Sequence, residues 1–171
     1  DCALESLNQA IKINPNFFEA YNNRGLIFVE LERLNDALES LNKVVVINPN
    51  FAEAYYNQGN VLCEMKKFNE ALSCYNKAIK INPNYFNAYN NLGLAFTKLN
   101  KFDSALESWN QAIKINPNFF EAYNNRGLIF IELKRLNDAL ESFNKVVEIN
   151  PNYAKAYKNI GLIFSDLKNY N

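Results

Sequence analysis

Apolar residues recur along the chain in two alternating helical patterns. In the first pattern Tyr21, Phe28 and Leu31 are seven and then three residues apart, which is the spacing of one helical face. The segment that follows carries a broader apolar stripe, formed by Ala37, Leu38, Leu41, Val44, Val45 and Ile47. Both patterns predict amphipathic helices, and each helix needs the other to bury its apolar face.

This pair of patterns returns every 34 residues. All five prolines and all five glycines follow that period, at Pro15, Pro49, Pro83, Pro117 and Pro151 and at Gly25, Gly59, Gly93, Gly127 and Gly161. A fixed period in the two residues that most restrict or free the backbone indicates one repeated helix-turn-helix unit, whose apolar face is buried on its neighbours.

Counting each repeat from the residue seven before its glycine divides the whole chain. The division gives a half repeat 1–17, full repeats 18–51, 52–85, 86–119 and 120–153, and a half repeat 154–171. Each full repeat holds a first and a second helix. The sequence therefore predicts an all-α fold of ten helices in a single array, in a chain that reads as a fragment of a longer protein.

Helix ends are predicted from asparagine and proline. Proline ends each second helix because it cannot continue a helix and disfavours helical geometry at the residue before it. We expect the asparagine after each proline, at 16, 50, 84, 118 and 152, to cap the next first helix. Glu19, Glu53 and Glu121 would complete capping boxes. The second helices would be capped by Asn35, Asn69, Asp103 and Asn137.

The positions that stay the same between repeats resemble the tetratricopeptide repeat family. In the second full repeat they are Tyr55, Gly59, Ala71, Tyr75, Ala78 and Pro83. The resemblance covers the whole chain and implies a right-handed α-solenoid whose first helices line a concave groove. Three residues depart from the leucine that the family usually has, and they predict altered packing of their hairpins: Arg24, Gln58 and Arg126.

A longer duplication lies over the 34-residue period. Residues 1–50 and 103–152 are identical at 44 of 50 positions. Since even solvent positions such as Gln9 and Asn42 are kept, we interpret the match as duplication of a three-repeat segment.

The resemblance implies that positions 2, 5, 6, 9, 12 and 13 of each repeat face the groove. Position 6 is asparagine in every repeat: Asn23, Asn57, Asn91, Asn125 and Asn159. A carboxamide carries both donors and an acceptor, so a column of them can hold the backbone of an extended peptide. The column resembles the asparagine ladder of the superhelical repeat domain in O-linked N-acetylglucosamine transferase. Alternatively, the amides face water or brace adjacent helices.

Other groove positions differ between repeats. Position 5 reads Asn22, Tyr56, Asn90, Asn124 and Lys158; position 9 reads Leu26, Asn60, Leu94, Leu128 and Leu162; position 13 reads Glu30, Glu64, Lys98, Glu132 and Asp166. This mixture of apolar, amide and acidic groups predicts a neutral or mildly basic peptide. The lysine, asparagine and arginine set with which chaperone-adaptor members of the family clasp a carboxylate does not occur, so we expect no binding of heat-shock chaperone tails.

Composition narrows the function classes. Eighteen basic and eighteen acidic residues give a net charge of zero, which argues against a nucleic-acid partner. No apolar stretch reaches the roughly 18 to 20 residues of a membrane span. Without histidine, a glycine-rich phosphate loop or paired carboxylates, the sequence predicts neither catalysis nor a cofactor or metal.

The three cysteines, Cys2, Cys63 and Cys74, show no CxxC spacing and favour a reducing, cytoplasmic setting. Cys63 and Cys74 are interpreted as small apolar filler, with a reactive thiol as the alternative.

Three functions therefore stay open. The first is a scaffold whose groove binds a peptide segment of a partner protein. The second is the substrate-recruiting arm of a larger enzyme, such as a glycosyltransferase. The third is a structural module that stacks head to tail, because one end offers a lone second helix and the other a lone first helix.

Overall fold

The computed structural model describes residues 2–169, and only the backbone at residues 168 and 169. This part of the chain contains ten α-helices and no strand: α1 (Cys2–Ile13), α2 (Phe18–Glu30), α3 (Leu34–Ile47), α4 (Ala52–Glu64), α5 (Phe68–Ile81), α6 (Phe86–Lys98), α7 (Phe102–Ile115), α8 (Phe120–Glu132), α9 (Leu136–Ile149) and α10 (Ala154–Asn169). The predicted all-α solenoid class is confirmed. Within residues 2–169 no helix is both long and apolar enough to cross a membrane.

Contacts between Cα atoms group the chain into two compact units. Unit 1 is Asp1–Ala88 and unit 2 is Tyr89–Asn171, so the boundary falls inside α6. Each unit is a stack of helical hairpins with its own buried residues. The expectation of one continuous array stays a prediction.

In unit 1 each first helix crosses its second helix at a glycine. A Cβ built on Gly25 would lie 3.0 Å from Leu41 Cγ, and one built on Gly59 would lie 2.5 Å from Tyr75 Cε1. Leu41 and Tyr75 are fully buried. Only a residue without a side chain lets the two helices approach this closely, so the glycine period fixes which faces of the hairpin meet.

Unit 2 repeats this arrangement with larger side chains. A Cβ on Gly93 would lie 2.6 Å from Nε1 of Trp109, and one on Gly127 would lie 2.9 Å from Cζ of Phe143. The indole nitrogen of Trp109 donates a hydrogen bond to the backbone oxygen of Asn90 (3.2 Å). The prediction that Trp109 is a core residue is confirmed, since it is 1% exposed. By contrast, nothing lies within 4 Å of a Cβ on Gly161.

The turn inside each hairpin is a left-handed turn at position 15, where Glu32, Lys66, Asn100 and Lys134 have φ between 56° and 60°. In the first of these turns Glu32 N donates to Val29 O (2.9 Å) and Arg33 N donates to Phe28 O (2.8 Å), which is a Schellman motif.

The predicted caps of the second helices are consequently wrong. The residues at the N-cap are Arg33, Lys67, Lys101 and Arg135, and none of them makes a side-chain cap bond. Asn35, Asn69, Asp103 and Asn137 lie inside the first turn of their helices instead. The Schellman turn ends the first helix and leads directly into the second, whose N-cap lies two residues earlier than we expected.

The predicted caps of the first helices are also wrong. Asn16, Asn50 and Asn118 lie one residue before the N-cap positions Phe17, Phe51 and Phe119, where no side-chain cap bond is made. The capping boxes with Glu19, Glu53 and Glu121 do not form for the same reason. Instead, the asparagine before each proline forms an Asx turn. Asn14 Oδ1 accepts a hydrogen bond from Asn16 N at 3.1 Å, and the same turn recurs at the other four prolines.

At Arg24 and Arg126 the altered packing that we predicted consists of hydrogen bonds to neighbouring helices. Arg24 Nε donates to Ser40 Oγ (3.1 Å) and its Nη1 to Asn8 Oδ1 (2.9 Å), so it joins α1, α2 and α3. Arg126 makes the same pair of bonds in unit 2, to Ser142 Oγ (3.2 Å) and Asn110 Oδ1 (3.0 Å). Burial lowers the pKa of Arg126. Gln58, the third residue that stands in place of the usual leucine, donates from its Nε2 to Asn42 Oδ1 (2.8 Å).

Candidate functional site

The candidate site is the face of the first helices at positions 5, 6, 9 and 13, which we call the first-helix face. In unit 1 it is formed by α2 and α4, which contact each other directly. In unit 2 it is formed by α6, α8 and α10. Each unit carries its own first-helix face, built on helices held in place by the glycine crossings behind them.

In unit 1 the asparagines of this face pair with each other. Asn57 Nδ2, at position 6 of α4, donates to Asn22 Oδ1, at position 5 of α2, over 3.2 Å. Asn57 is 7% exposed and Asn22 is buried. Asn23, the position-6 residue of α2, is exposed. The amide column is therefore partly a brace between successive repeats, the alternative that the sequence left open.

Unit 2 contains the same pairing two repeats further on. Asn125 Nδ2 donates to Asn90 Oδ1 over 3.0 Å, and Asn90 Nδ2 donates to Asn91 Oδ1 (3.1 Å). Asn90 is buried. The first helices α2, α4, α6 and α8 thus each present an amide whose orientation is fixed by a neighbouring first helix. Asn125 Nδ2 retains a second N–H, because a carboxamide nitrogen has two.

The remaining predicted site residues lie at different depths. Tyr56, Asn60, Asn91, Asn124, Asn125 and Asn159 are half-buried, whereas Glu30, Glu64, Glu132 and Lys158 are exposed. Asn22, Asn57 and Asn90 are buried, and each of the three takes part in a hydrogen bond between repeats.

Exposed leucines accompany the amides at position 9. Leu26 is 37% exposed, and in unit 2 Leu94, Leu128 and Leu162 are 41%, 45% and 54% exposed. An apolar side chain that recurs at one register and is left in water indicates a contact surface. The sequence predicted that position 9 faces the groove, but only the structure shows how much of each leucine side chain is exposed to solvent.

Tyr75 links the core of unit 1 to the face. Its hydroxyl donates to Asn60 Oδ1 (2.9 Å) and lies 3.5 Å from Cys63 Sγ. Burial raises the pKa of Cys63, with the hydrogen bond of Tyr75 opposing that shift. Burial also raises the pKa of Cys74. A raised thiol pKa reduces the reactive thiolate, which supports the interpretation of both residues as packing groups.

A tyrosine pair replaces the amide at position 5 of α4. The rings of Tyr56 and Tyr85 have centroids 4.9 Å apart. Burial, and then the charges of Tyr56 and Glu53, raise the pKa of Tyr85 to about 12. Tyr85 was not predicted from the sequence, although its position at the end of repeat 52–85, directly before the next first helix, was a signal that could have identified it.

Among residues 2–169 no group of three or more Cys, Asp or Glu could hold a metal ion. The three cysteines are free thiols. The chemistry available on the first-helix faces is hydrogen bonding, apolar contact and carboxylate charge, which is the chemistry of binding.

Stacked helical hairpins of 34 residues with a glycine at each crossing define the class of helical repeat proteins. The family models agree in detail: the TPR repeat model matches residues 1–32, 25–62, 59–100 and 93–134, and the tetratricopeptide repeat model matches residues 120–153. The chain belongs to the tetratricopeptide repeat family.

Solved structures of the same kind are similar to it. A crystal structure of MamA is 31% identical, with a TM-score of 0.82 over 89% of each chain. The crystal structure of YrrB, described as a TPR protein with an unusual peptide-binding site, is 27% identical, with a TM-score of 0.79 over 97% of this chain and 86% of that one.

The first TPR of Spaghetti (RPAP3), solved with the HSP90 peptide SRMEEVD, is 28% identical, with a TM-score of 0.66 over 68% of this chain and 93% of that one. A comparison with the curated proteins finds no match.

Proposed function

We propose that this chain is a non-catalytic interaction scaffold that binds an extended peptide segment of a partner protein on its first-helix faces. The observation that carries the proposal is the repeated amide pair, Asn57 with Asn22 and Asn125 with Asn90. It places oriented carboxamides on successive first helices, near the exposed leucines at position 9 of α2, α6 and α8. Two similar structures, YrrB and RPAP3, are described as peptide-binding.

In this proposal the asparagine ladder holds the backbone of the peptide. The exposed amide of Asn23 and the half-buried amides of Asn91, Asn125 and Asn159 offer donors and acceptors that suit any peptide sequence. Because Asn125 is already oriented by Asn90, it loses less side-chain entropy on binding than a free asparagine would. The flanking residues of position 5, including Asn124 and Lys158, would contact the peptide from one side.

Charge favours a neutral or basic peptide. Glu30 and Glu64 are exposed on unit 1, whereas on unit 2 the exposed Glu132 and Asp166 are accompanied by the exposed Lys98 and Lys158. Carboxylates on the binding face repel acidic side chains and attract lysine or arginine. The peptide bound to RPAP3 contains three acidic residues, so we propose a ligand of opposite charge for this chain.

An unbiased peptide-display screen tests the proposal. The captured peptides are then measured against variants with Asn23, Asn91, Asn125 or Asn159 changed to alanine. We expect neutral or basic peptides, and weaker binding by each variant without loss of fold. A captured set that ignores all four changes would remove the ladder from the proposal, and an empty set would remove peptide binding altogether.

Head-to-tail stacking is a second candidate that one observation favours. The face of Gly161 on α10 is open, while Phe164 and Leu162 beside it are about half exposed. Leu7 of α1 holds the register of Leu41 and Tyr75, which cover the glycines of their own hairpins. In this candidate Leu7 of a second copy covers Gly161. Sedimentation that grows with concentration supports it, and a monomer at high concentration contradicts it.

A further inference from the structure

A cavity of about 410 Å³ lies on unit 1 between α3, α4 and α5, and we call it the α4 pocket. Its volume is within the range of about 300 to 1,000 Å³ that ligand pockets have. Helices α3 and α4 line it with Leu38, Asn42, Val45, Tyr55, Gln58 and Leu62. The three residues of α4 stand at positions 4, 7 and 11 of their repeat. The α4 pocket is therefore separate from the first-helix face, which uses positions 5, 6, 9 and 13.

Two buried residues of the α4 pocket are smaller than their equivalents in other repeats. Gln58 and Leu62 are each 6% exposed. The first and fourth full repeats carry an arginine in place of Gln58 and a phenylalanine in place of Leu62, at Arg24, Phe28, Arg126 and Phe130. The second full repeat thus lacks side-chain volume that those two repeats place between their helices.

Those two repeats show which chemical group fits at this point. The guanidinium of Arg24 donates to Ser40 Oγ (3.1 Å) and Asn8 Oδ1 (2.9 Å). Its Cζ lies 5.2 Å from the ring centroid of Tyr21. Arg126 makes the equivalent three contacts in unit 2, at 3.2, 3.0 and 5.2 Å. Side-chain acceptors and a tyrosine ring together hold a planar cation here.

The α4 pocket keeps the equivalents of these partners. The residues one repeat after Asn8, Tyr21 and Ser40 all line it: Asn42, Tyr55 and Cys74. Asn42 Oδ1 accepts one hydrogen bond from Gln58 Nε2 (2.8 Å), and a carboxamide oxygen has a second lone pair for another donor. The side-chain oxygen of Gln58, which lies 3.9 Å from Cys74 Sγ, is a further acceptor.

Helix α5 adds one charge of each sign to the pocket. It lines the pocket with Glu70, Ser73, Cys74 and Lys77, of which all but Cys74 are exposed. Lys77 Nζ lies 5.6 Å from the ring centroid of Tyr55, so this ring already attracts a cation. A guanidinium can displace the ammonium of Lys77, because it is planar, stacks on an aromatic ring and carries five N–H donors.

We infer that the α4 pocket binds an arginine side chain of a partner protein. The guanidinium lies against Tyr55 and donates to the oxygens of Asn42 and Gln58. Its charge is balanced by the carboxylate of Glu70. The arginine of the partner thus takes the place that the chain's own arginine takes in two other repeats. This inference is independent of the proposed function, because the α4 pocket contains no residue of the first-helix face.

A titration of the whole, isotope-labelled chain followed by nuclear magnetic resonance tests the inference. The ligands are acetyl-Gly-Xaa-Gly-amide peptides, in which Xaa is arginine, citrulline or leucine, and free L-arginine. Citrulline has the shape of arginine without its charge. We expect the arginine peptide to shift the backbone amides of Gln58, Leu62 and Cys74. It should bind at least about tenfold more tightly than the citrulline peptide, a difference of about 1.4 kcal/mol.

Gln58→Arg should close the pocket from within, since an arginine stands at this repeat position in Arg24 and Arg126. We expect it to weaken binding of the arginine peptide by at least about tenfold. Gln111→Arg is the matched control: it makes the same exchange on α7, at a repeat position that carries a basic residue in Lys43, Lys77 and Lys145. Its affinity should stay within about twofold of the wild type. Circular dichroism melts verify that both variants are folded.

Two charge variants keep the inference testable if Gln58→Arg disturbs the fold. Glu70→Gln should weaken the arginine peptide by about two- to fivefold, and Lys77→Ala should strengthen it by a similar factor, because these charges are exposed. The inference is overturned by equal binding of the citrulline peptide, by an equal loss in Gln111→Arg, by reversed signs of the charge variants, or by no binding at millimolar peptide. Tighter binding of free L-arginine than of the peptide would assign the pocket to a small molecule and overturn it as well.

Discussion

The side-chain nitrogen of Asn57 donates a hydrogen bond to the side-chain oxygen of Asn22, 35 residues earlier and one repeat away, over 3.2 Å. Asn125 and Asn90 make the same bond in unit 2 over 3.0 Å. The bond joins first helices of successive repeats directly, where the hairpin core does not reach. It fixes the orientation of these amides on the candidate binding face.

Removal of one partner should destabilise unit 1. Asn57→Ala removes the donor to the side-chain oxygen of Asn22, a residue that is 5% exposed. We expect the free energy of unfolding to fall by about 1 to 3 kcal/mol, measured by urea denaturation. Asn23→Ala, one residue from the position-5 partner and exposed, is the control and should stay within about 0.5 kcal/mol of the wild type. Equal losses would mean that the pair carries no special weight.

The glycine crossings should differ in their tolerance of alanine. Gly93→Ala places a Cβ 2.6 Å from Trp109 Nε1, so the indole must move and its bond to Asn90 weakens. We expect a loss of about 1 to 3 kcal/mol. Gly161→Ala meets no atom within 4 Å and should gain up to about 1 kcal/mol from helix propensity. Thermal melts of the two variants check the contrast, and a Gly93 variant as stable as the wild type refutes it.

The three thiols should react in a defined order. Cys2 is exposed, whereas burial raises the pKa of both Cys63 and Cys74. A higher pKa leaves less thiolate at a given pH, and half-buried sulfur is also harder to reach. At pH 8 iodoacetamide should alkylate Cys2 first, and Cys63 and Cys74 should follow quickly only in urea. Peptide mass spectrometry of timed samples gives the order; modification of Cys74 alongside Cys2 in the native protein would contradict it.

Tyr85 should make unit 1 sensitive to alkali. Its pKa rises from 10.0 to about 12 in the fold, so between these values the folded protein holds a proton that the unfolded chain releases. Its contribution to stability is complete below pH 10 and is lost as the pH rises through 12. Tyr85→Phe should therefore flatten the fall in unfolding free energy over this range. Denaturant titrations at several pH values measure it, and parallel curves for the two proteins would exclude the effect.

The sequence could predict the hairpins because its period is carried by residues that act on the backbone. Gly59 and Gly93 mark the helix crossings, and Pro49 and Pro83 mark the ends of second helices. Glycine and proline act on the local backbone, so their effects can be predicted without knowing which helices pack together. The large residues behind each glycine hold one register, so Trp109 could be placed in the core.

Helix caps and side-chain pairs could not be predicted in the same way. At the turns inside the hairpins, Glu32 and Lys66 have positive φ although neither is glycine. No residue type therefore identifies these turns in the sequence, and the N-caps of the second helices lie two residues before the positions that we expected. From the sequence alone, the amide of Asn57 could equally well hydrogen-bond to a neighbouring helix, to water or to a ligand. Only the position of Asn22 on the neighbouring helix decides which of these it contacts, and that position depends on how the hairpins stack.

Chemical-shift mapping of a peptide from the display screen tests the central claim most directly. The claim is that partners bind the first-helix faces, so the largest shifts in the amide spectrum of the labelled chain should fall on α2, α4, α6, α8 and α10. Asn23, Asn125 and Leu128 should be among the residues that change most. Shifts concentrated on α3, α5, α7 and α9 would contradict the account.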